Sequence, residues 1–385
     1  MKNTHLNHRS QLQYAPSIAH RSNRSIVSVA MSLIVAVLAL TEAATLNAQP
    51  PASSSAQMTG SGNRSTDTPP SQTTIEEQQV AVPAFDSKQA FEHLQKICAT
   101  GPRISTTNGM LQQQKYLGQW FKPLQAEVSL QKFFVRNPLA NQGGFDGRHA
   151  ELELSNMIVR FRPERKQRLL FCCHYDTRPY PDRDRRNPQG TFIGANDGAS
   201  GVAVLCELGR NLAEINGPYG IDLVFFDGEE FVYVARRDPM FLGSNHFAKQ
   251  YIQRRDDFRY AYAVLIDMVG DKNLQIYFER NSLTYAPRLT RSIWGVAKRL
   301  KVREFIAKAG HEISDDHLPL NRIAGIPTCD IIDFDFPTPR SKNAFWHTEQ
   351  DIPENCSAES LGKVGKVLLQ WTIEMQKLNV APANR

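Results

Sequence analysis

Three carboxylates stand directly after a short apolar run in the middle of the chain. Residues 221–226 are apolar except for one aspartate, and the acids that follow around a single glycine are Asp227, Glu229 and Glu230. We interpret the run as a buried strand of an α/β sheet, and such sheets bind ligands at the carboxyl ends of their strands. Adjacent glutamates repel, so a bound cation would keep one ionised as a ligand while its neighbour transfers protons. A single Glu-Glu pair is more often a solvated strand end, so the metal hypothesis needs further ligands.

Similar strand or loop ends recur along the chain. Their candidate ligands are His174, Asp197, Asp267 and His347. Imidazole and carboxylate are the ligands of catalytic zinc, where three protein ligands leave one position open. Taken singly, His174 could be a core histidine and Asp197 a helix N-cap. Asp267 could belong to a turn, and His347 could simply pack beside Trp346. Their joint occurrence in sheet order favours a metal site.

Strands and helices alternate along the chain from about residue 83 onward. Periodicity and turn residues predict strands over about 128–135, 151–161, 168–173, 221–226, 262–266 and 327–332. Helices are predicted from residue 85, over about 108–120 with Leu111 facing inward, after Asp197, around 285–300 and over about 360–378. This alternation indicates one three-layer α/β/α catalytic domain at residues 83–382, with a central, twisted, mixed but mostly parallel sheet.

The first 48 residues have the pattern of a secretory signal. Basic residues precede an apolar run at 26–40, and small residues follow it up to Ala48, where we expect cleavage. The alternative is an uncleaved N-terminal anchor. Residues 49–82 are rich in Ser, Thr, Pro and Gln, which predicts a disordered tether. We therefore expect an exported protein, periplasmic or extracellular, with no stable membrane insertion after signal cleavage.

Neither the basic residues nor the cysteines indicate a nucleic-acid-binding protein or a zinc finger. The formal net charge is +6, and the one dense basic stretch lacks interleaved aromatic residues. Its arginines are Arg178, Arg183, Arg185 and Arg186. A solvated loop is favoured over a nucleic-acid site, so no nucleic-acid partner is expected. The six cysteines show no zinc-finger spacing. Cys172 and Cys173 should point to opposite faces of one strand, and we assign no disulfide pairing.

The order of the acidic and histidine motifs resembles the zinc exopeptidase superfamily over nearly all of the chain after the tether. The motifs that carry the resemblance are His174-Tyr175-Asp176, Asn196-Asp197-Gly198, Asp227-Gly228-Glu229-Glu230, Ile266-Asp267-Met268 and Trp346-His347-Thr348. The superfamily contains dizinc aminopeptidases and the glutaminyl cyclases. The joint pattern is more specific for the superfamily than for either branch.

Three further stretches resemble the cyclase branch, in its bacterial type. They are residues 313–319, residues 241–248, and the combination of 174–179 with 194–201. In cyclases one zinc is held by the positions that match Asp197, Glu230 and His347, so the resemblance implies one Zn²⁺ per chain. In the peptidases His174 and Asp267 would complete a second zinc, with Asp197 bridging the two ions.

The cyclase resemblance implies conversion of the N-terminal glutamine of a peptide or protein to pyroglutamate, with release of ammonia. Zinc would act as a Lewis acid on the side-chain amide, and Glu229 would be the general acid and base. Asp267 and Asp315 would orient the amine and share its proton. The substrate pocket would be walled by Trp346, Phe345 and Ile313, although Trp346 could instead be a core residue. A monomer is expected.

Two alternatives remain open. In an aminopeptidase, Glu229 would deprotonate a water shared by two zinc ions, which then attacks the first peptide bond. A secreted, non-catalytic binding protein is the minor alternative, because every candidate ligand and the base are present. The cyclase is favoured over both.

The chain departs from the animal cyclases at three positions. Ala235 stands in place of a tryptophan, Asp330 in place of a histidine, and Val202 in place of the cysteine that would pair with Cys173. The animal disulfide is therefore unsupported. These differences concern the walls of the substrate pocket more than the metal ligands.

Overall fold

A computed structural model describes residues 84–140, 150–341 and 343–377. The strands are β1 (Glu127–Arg136), β2 (Glu151–Phe161), β3 (Gln167–His174), β4 (Gly220–Phe226), β5 (Arg259–Asp267), β6 (Ile276–Phe278), β7 (Phe305–Ala309) and β8 (Thr328–Ile332). The helices are α1 (Ser87–Cys98), α2 (Asn108–Phe121), α3 (Ala199–Ala213), α4 (Leu242–Ile252), α5 (Arg280–Tyr285), α6 (Pro287–Arg299), α7 (His317–Arg322) and α8 (Ala358–Lys377).

Six strands form one mixed sheet in the order β1-β2-β4-β3-β5-β8. The neighbours from β4 to β8 are parallel, whereas β1, β2 and β4 pair antiparallel. β6 and β7 form a separate parallel pair. The predicted fold class, a three-layer α/β/α domain with a mixed and mostly parallel sheet, is confirmed.

The parallel centre of the sheet brings three distant chain segments to one edge. His174 at the end of β3 is in register with Phe226 at the end of β4. On the other side of β3, Cys172 is in register with Leu265, two residues before the end of β5 at Asp267. The carboxyl ends of parallel strands are where such sheets place ligands, so the candidate acids and histidine meet there.

Alternate residues of the central strands fill two separate cores. Cys173 belongs to the larger one, which includes residues of α1, α3, α6 and α8. Cys172 belongs to the smaller one, which includes residues of α4 and α7. The two cysteines therefore face opposite sides of the sheet, as predicted. All six cysteines are buried and free.

One charged residue interrupts the apolar strand β4. Asp222 is fully buried and forms ion pairs with Arg160 and Arg168. Its other oxygen accepts a hydrogen bond from the Tyr260 hydroxyl. A buried carboxylate needs such partners, and these come from β2, β3 and β5.

The inward orientation predicted for Leu111 is wrong, because its side chain is 59% exposed. The buried face of α2 includes Gln113 instead, whose side chain donates a hydrogen bond of 2.6 Å to the backbone carbonyl of Tyr175. Gln114 donates to the Tyr175 hydroxyl. These polar contacts set the rotation of α2, and an apolar pattern does not report them.

The predicted signal at 1–48 and tether at 49–82 lie outside the described residues, as do residues 378–382 of the predicted domain. Within 84–140, 150–341 and 343–377, no helix combines the length and the apolar character that a membrane crossing requires.

A buried histidine between α1 and α2 makes stability depend on pH. His93 lies 2.5 Å from the Tyr116 hydroxyl, and its ring packs at 4.2 Å against Trp120. Burial, together with the positive charge of Lys96, lowers the pKa of His93 to about 4. The folded protein holds the neutral ring, so its stability is complete above the unfolded pKa of about 6.5 and declines as the pH falls from there towards 4.

We expect His93→Gln to remove part of this pH dependence. Between about pH 7.5 and pH 5 the wild type should lose about 2 kcal/mol more unfolding free energy than the variant, as each pKa unit is worth about 1.4 kcal/mol. Urea unfolding at the two pH values measures the difference. Parallel losses in both proteins would contradict the expectation.

Candidate metal centre and active site

Two candidate ligands lie at strand ends, and two further acids lie in the turn after β4. His174 and Asp267 are the last residues of β3 and β5. Glu229 and Glu230 follow Gly228, which has a φ of +76° and starts the turn. Both oxygens of the Asp176 side chain accept backbone N–H groups from this turn, one from each glutamate, at 3.2 and 2.9 Å. Asp176 therefore fixes the direction of both glutamates.

Asp197 is set by the loop that leads into α3. Its N–H and that of Asn196 donate to the two oxygens of Asp351, at 3.0 and 2.6 Å. Gly198 follows with a φ of +97°, and a Cβ there would lie 3.0 Å from a ring carbon of His174. Only glycine fits this conformation and this contact without strain.

Asp197, Glu230 and His347 converge at ligand distances. The Nε2 atom of His347 lies 3.4 Å from Asp197 Oδ2 and 3.4 Å from Glu230 Oε1. Tetrahedral zinc with bonds of about 2.0–2.2 Å places neighbouring ligand atoms about 3.4 Å apart. All three side chains are buried. Their spacing therefore suits one tetrahedral ion with a fourth position open.

A second group shares Asp197 with the first. The Nε2 atom of His174 lies 3.1 Å from Asp197 Oδ1 and 3.2 Å from Asp267 Oδ1. The two oxygens of Asp197 thus face different groups. One group could hold one ion, and Asp197 could bridge that ion to a second ion held by the other group.

The charges at the centre fit a cation. His347 Nε2 is buried and makes no hydrogen bond, although two carboxylates face it. Burial opposes protonation of His347, but Glu230 and Asp182 raise its pKa to about 10. Burial likewise disfavours ionised Glu230, but the charges of His347 and Arg178 lower its pKa. The carboxylates thus draw positive charge to the place where a bound ion would supply it.

Arg178 lies beside this centre, and the prediction that it belongs to a solvated loop is wrong. Its side chain is buried, and Nη1 lies 2.7 Å from both oxygens of Glu230. The same guanidinium pairs with Asp182 at 3.1 Å. Arg185 and Arg186 are exposed, as predicted.

Asp182 connects Arg178 to the proposed ligand His347. Its Oδ1 lies 3.2 Å from His347 Nδ1. A carboxylate that accepts from Nδ1 leaves Nε2 as the atom that can bind a metal, and it fixes the ring orientation.

Replacing Asp182 by alanine is expected to weaken zinc binding about 10- to 100-fold, the usual cost of losing such a partner. Titration of the apo protein against a zinc indicator measures the affinity. Asp182→Asn retains one acceptor oxygen, so it should weaken binding less than alanine. Unchanged affinity in both variants would show that Asp182 does not orient the ring.

Glu229 is a member of neither ligand group. Its side chain is 6% exposed and next in sequence to Glu230. Burial and the charge of Glu230 raise the pKa of Glu229 well above its ordinary value. A carboxyl group held in this way beside a metal position can take up and return a proton.

Asp267 belongs to the second ligand group and interacts electrostatically with another buried acid, Asp315. Burial and the charge of Asp267 raise the pKa of Asp315. Asp330 is also fully buried, and His317 lies between it and Glu279, with its nitrogens 3.6 and 3.5 Å from their oxygens. The position that departs from the animal cyclases therefore carries an acid facing a histidine.

The residues predicted to wall the pocket share one apolar cluster. Ile313 is buried in it with Met268, Ile332 and Phe336, and Phe334, Phe345 and Trp346 pack against it half-buried. The Trp346 ring lies 4.0 Å from the ring of His347 and 4.9 Å from that of Phe334. An aromatic wall therefore adjoins the proposed metal ligand.

Four supporting residues were not found from the sequence. Arg178, Asp182 and Asp351 lie in polar loops, and the sequence marks Asp176 only as part of the motif His174-Tyr175-Asp176. The spacing of Asp182 four residues after Arg178 and Asp351 four after His347 is the one available signal. Such spacings are too common in loops to identify a site.

Comparisons with known proteins identify the relatives of this chain. Residues 156–372 match peptidase family M28. A glutaminyl cyclase structure from Fimbriiglobus ruber superposes with a TM-score of 0.69 at 35% identity, over 77% of this chain and 98% of that one. A Zn-dependent exopeptidase structure from Parabacteroides distasonis has a TM-score of 0.67 at 31% identity, over 77% and 100%. The bovine glutaminyl-peptide cyclotransferase is 27% identical over 57% of this chain and 66% of its own length, so the chain spans slightly less than two thirds of that relative.

Proposed function

Because the chain belongs to peptidase family M28, on its glutaminyl cyclase branch, we propose that it converts the N-terminal glutamine of peptides and proteins to pyroglutamate. The observation that carries the proposal is the convergence of Asp197, Glu230 and His347 at ligand distances beside Glu229. The similarity to the bacterial cyclase structure favours cyclisation as the reaction. The buried Asp315 next to Asp267 supports the same choice, because it adds a proton-sharing acid.

The bond changes are those of an internal acyl transfer. The α-amino nitrogen attacks the side-chain amide carbon, a five-membered lactam forms, and the carbon–nitrogen bond of the amide breaks to release ammonia. Zinc held by Asp197, Glu230 and His347 would polarise the amide carbonyl and stabilise negative charge on its oxygen.

The chain's own residues handle the proton and the orientation. Glu229 accepts the proton from the attacking amine and returns it to the departing ammonia. Asp267 and Asp315 hold the amine in line. Trp346, Phe345 and Ile313 wall an apolar pocket for one glutamine side chain. Since both reacting groups belong to one residue, positioning supplies much of the rate and no activated water is needed.

Aminopeptidase activity is the second candidate, and a specific observation favours it. His174, Asp197 and Asp267 form a second buried group at ligand distances. With two ions bound there, Glu229 would deprotonate a water for attack on the first peptide bond. A non-catalytic binding protein is the weakest candidate, because every candidate ligand and the proposed proton-transfer residue Glu229 are present.

Two measurements on the purified protein separate these activities. Ammonia release from a Gln-initiated peptide, beside cleavage of a Leu-anilide, reports the reaction. Ammonia without anilide cleavage is the expected result, and anilide cleavage without ammonia would reverse the choice. Zinc per chain, measured by elemental analysis, should be one for the cyclase and two for the peptidase. In a cyclase, Asp267→Asn should leave one zinc per chain. In a peptidase, it should lower the zinc content from two to one per chain.

We also propose where the protein is located and in which oligomeric state it acts. The protein is exported to the periplasm or beyond the cell, either cut near Ala48 or retained by its N-terminal segment, and it acts as a monomer. N-terminal sequencing of protein from the native host tests cleavage. Sedimentation of the purified chain tests the assembly state.

A further inference from the structure

An exposed arginine lies directly on the aromatic wall. The Arg183 guanidinium carbon is 3.9 Å from the centre of the Trp346 ring. The backbone N–H of Arg183 also donates to the carbonyl of His347 at 3.1 Å. A cation is therefore placed next to the pocket proposed for the first substrate residue.

The charge of Arg183 has no ion-pair partner in the part of the chain that the structure describes. Its neighbour Asp182 is engaged by Arg178 and His347. Within 84–140, 150–341 and 343–377, no carboxylate oxygen lies within ion-pairing distance of the Arg183 side chain. A guanidinium stacked on an indole keeps all its N–H donors available at the ring edge.

The loop that carries Arg183 is tied to the loop that carries Trp346. Asp184 accepts the backbone N–H of Glu349 at 3.1 Å. In return, Glu349 Oε1 accepts from Thr191 N–H at 3.1 Å and from Asn187 Nδ2 at 3.0 Å. The cation is thus preorganised relative to the pocket, which lowers the entropic cost of using it for binding.

We propose that Arg183 determines substrate specificity by selecting peptides with an acidic side chain directly after the N-terminal residue. The inference rests on the proposed function. An extended peptide advances about 3.3–3.6 Å per residue. The Arg183 guanidinium lies 3.9 Å from the Trp346 ring, so the side chain that follows a residue bound against Trp346 can reach it. A carboxylate there can pair with the guanidinium, whereas an ammonium at the same position is repelled.

The test compares kcat/KM for three amidated peptides that differ only at the second residue, Gln-Glu-Ala, Gln-Ala-Ala and Gln-Lys-Ala. We expect the wild type to favour glutamate over alanine about two- to fivefold, with lysine below alanine, as a partly exposed ion pair allows. Arg183→Gln should remove the preference and leave the alanine peptide within twofold of its original value. Added salt should reduce the preference in the wild type only.

Two variants separate charge from packing. Arg183→Lys keeps the charge without the planar stack, so part of the preference should remain. Arg185→Gln removes an exposed arginine of the same loop and should change nothing. An equal loss for all three peptides in Arg183→Gln would mean that the arginine only supports Trp346, and that result overturns the proposal, as does a wild type without preference.

Failure of the proposed function has a different signature. In that case no peptide releases ammonia from the wild type. The same peptides are then scored for release of the first residue. A preference for glutamate that depends on Arg183 would retain the specificity role, and its absence would overturn that role too.

Discussion

Replacing Glu229 by glutamine is expected to slow ammonia release about 10²- to 10⁴-fold, the usual contribution of a general acid–base group. Glu229 is buried and belongs to neither ligand group, so zinc should remain bound at the wild-type count. Glutamine keeps the size and the polarity of the side chain but cannot accept the proton from the attacking amine. The loss should appear in kcat, measured at saturating Gln-peptide.

Two controls accompany this variant. Glu214→Gln makes the same chemical change at an exposed position and should leave the rate unaltered. Zinc content and the unfolding temperature of Glu229→Gln should match the wild type. If the variant retained more than a tenth of the activity with full zinc, Glu229 would not be the proton-transfer group.

Replacing Asp197 by asparagine is expected to abolish tight zinc binding and activity together. Both ligand groups contain Asp197, so the loss does not depend on whether one or two ions are bound. Loss of an outer-shell partner alone costs about 10- to 100-fold in affinity, and a direct, charged ligand should cost more. Equilibrium dialysis against buffered zinc measures the change.

The variant Asp267→Asn is the control that shows whether loss of any carboxylate near the site releases the ion. Asp267 belongs only to the second group, so its replacement should spare the ion held by Asp197, Glu230 and His347. The hydrogen bond from Asp197 to Asp351 is donated by the backbone N–H and does not involve the Asp197 side chain, so circular dichroism should show an intact fold. Full zinc occupancy in Asp197→Asn would remove this residue from the ligand set.

The fold could be predicted from the sequence because its signals are local. The apolar run before Asp227 and the periodicity after Asp197 each report an element, and strand ends identify the edge where ligands gather. The candidate ligands were predicted in the same way, because each stands at a strand or loop end.

The supporting contacts could not be predicted because they depend on tertiary packing. In the sequence, Arg178 is one of several loop arginines. In the structure it is buried and donates a hydrogen bond to Glu230, 52 residues later in the chain. Gln113 turns α2 through a contact with Tyr175, 62 residues away, which left Leu111 on the outside. Polar residues of this kind carry no periodic signal, so their partners appear only when the chain is folded.

The tie between Asp197 and Asp351 has a consequence for how the protein acquires its metal. These residues are 154 positions apart, and Asp351 lies in the loop that also carries His347. An unfolded or half-synthesised chain cannot assemble this cradle, so capture of the ion must follow completion of nearly the whole domain. By thermodynamic linkage the ion then favours the finished molecule over its unfolded forms. A higher concentration of free zinc in the compartment where folding finishes is thus expected to raise the stability of the folded protein there.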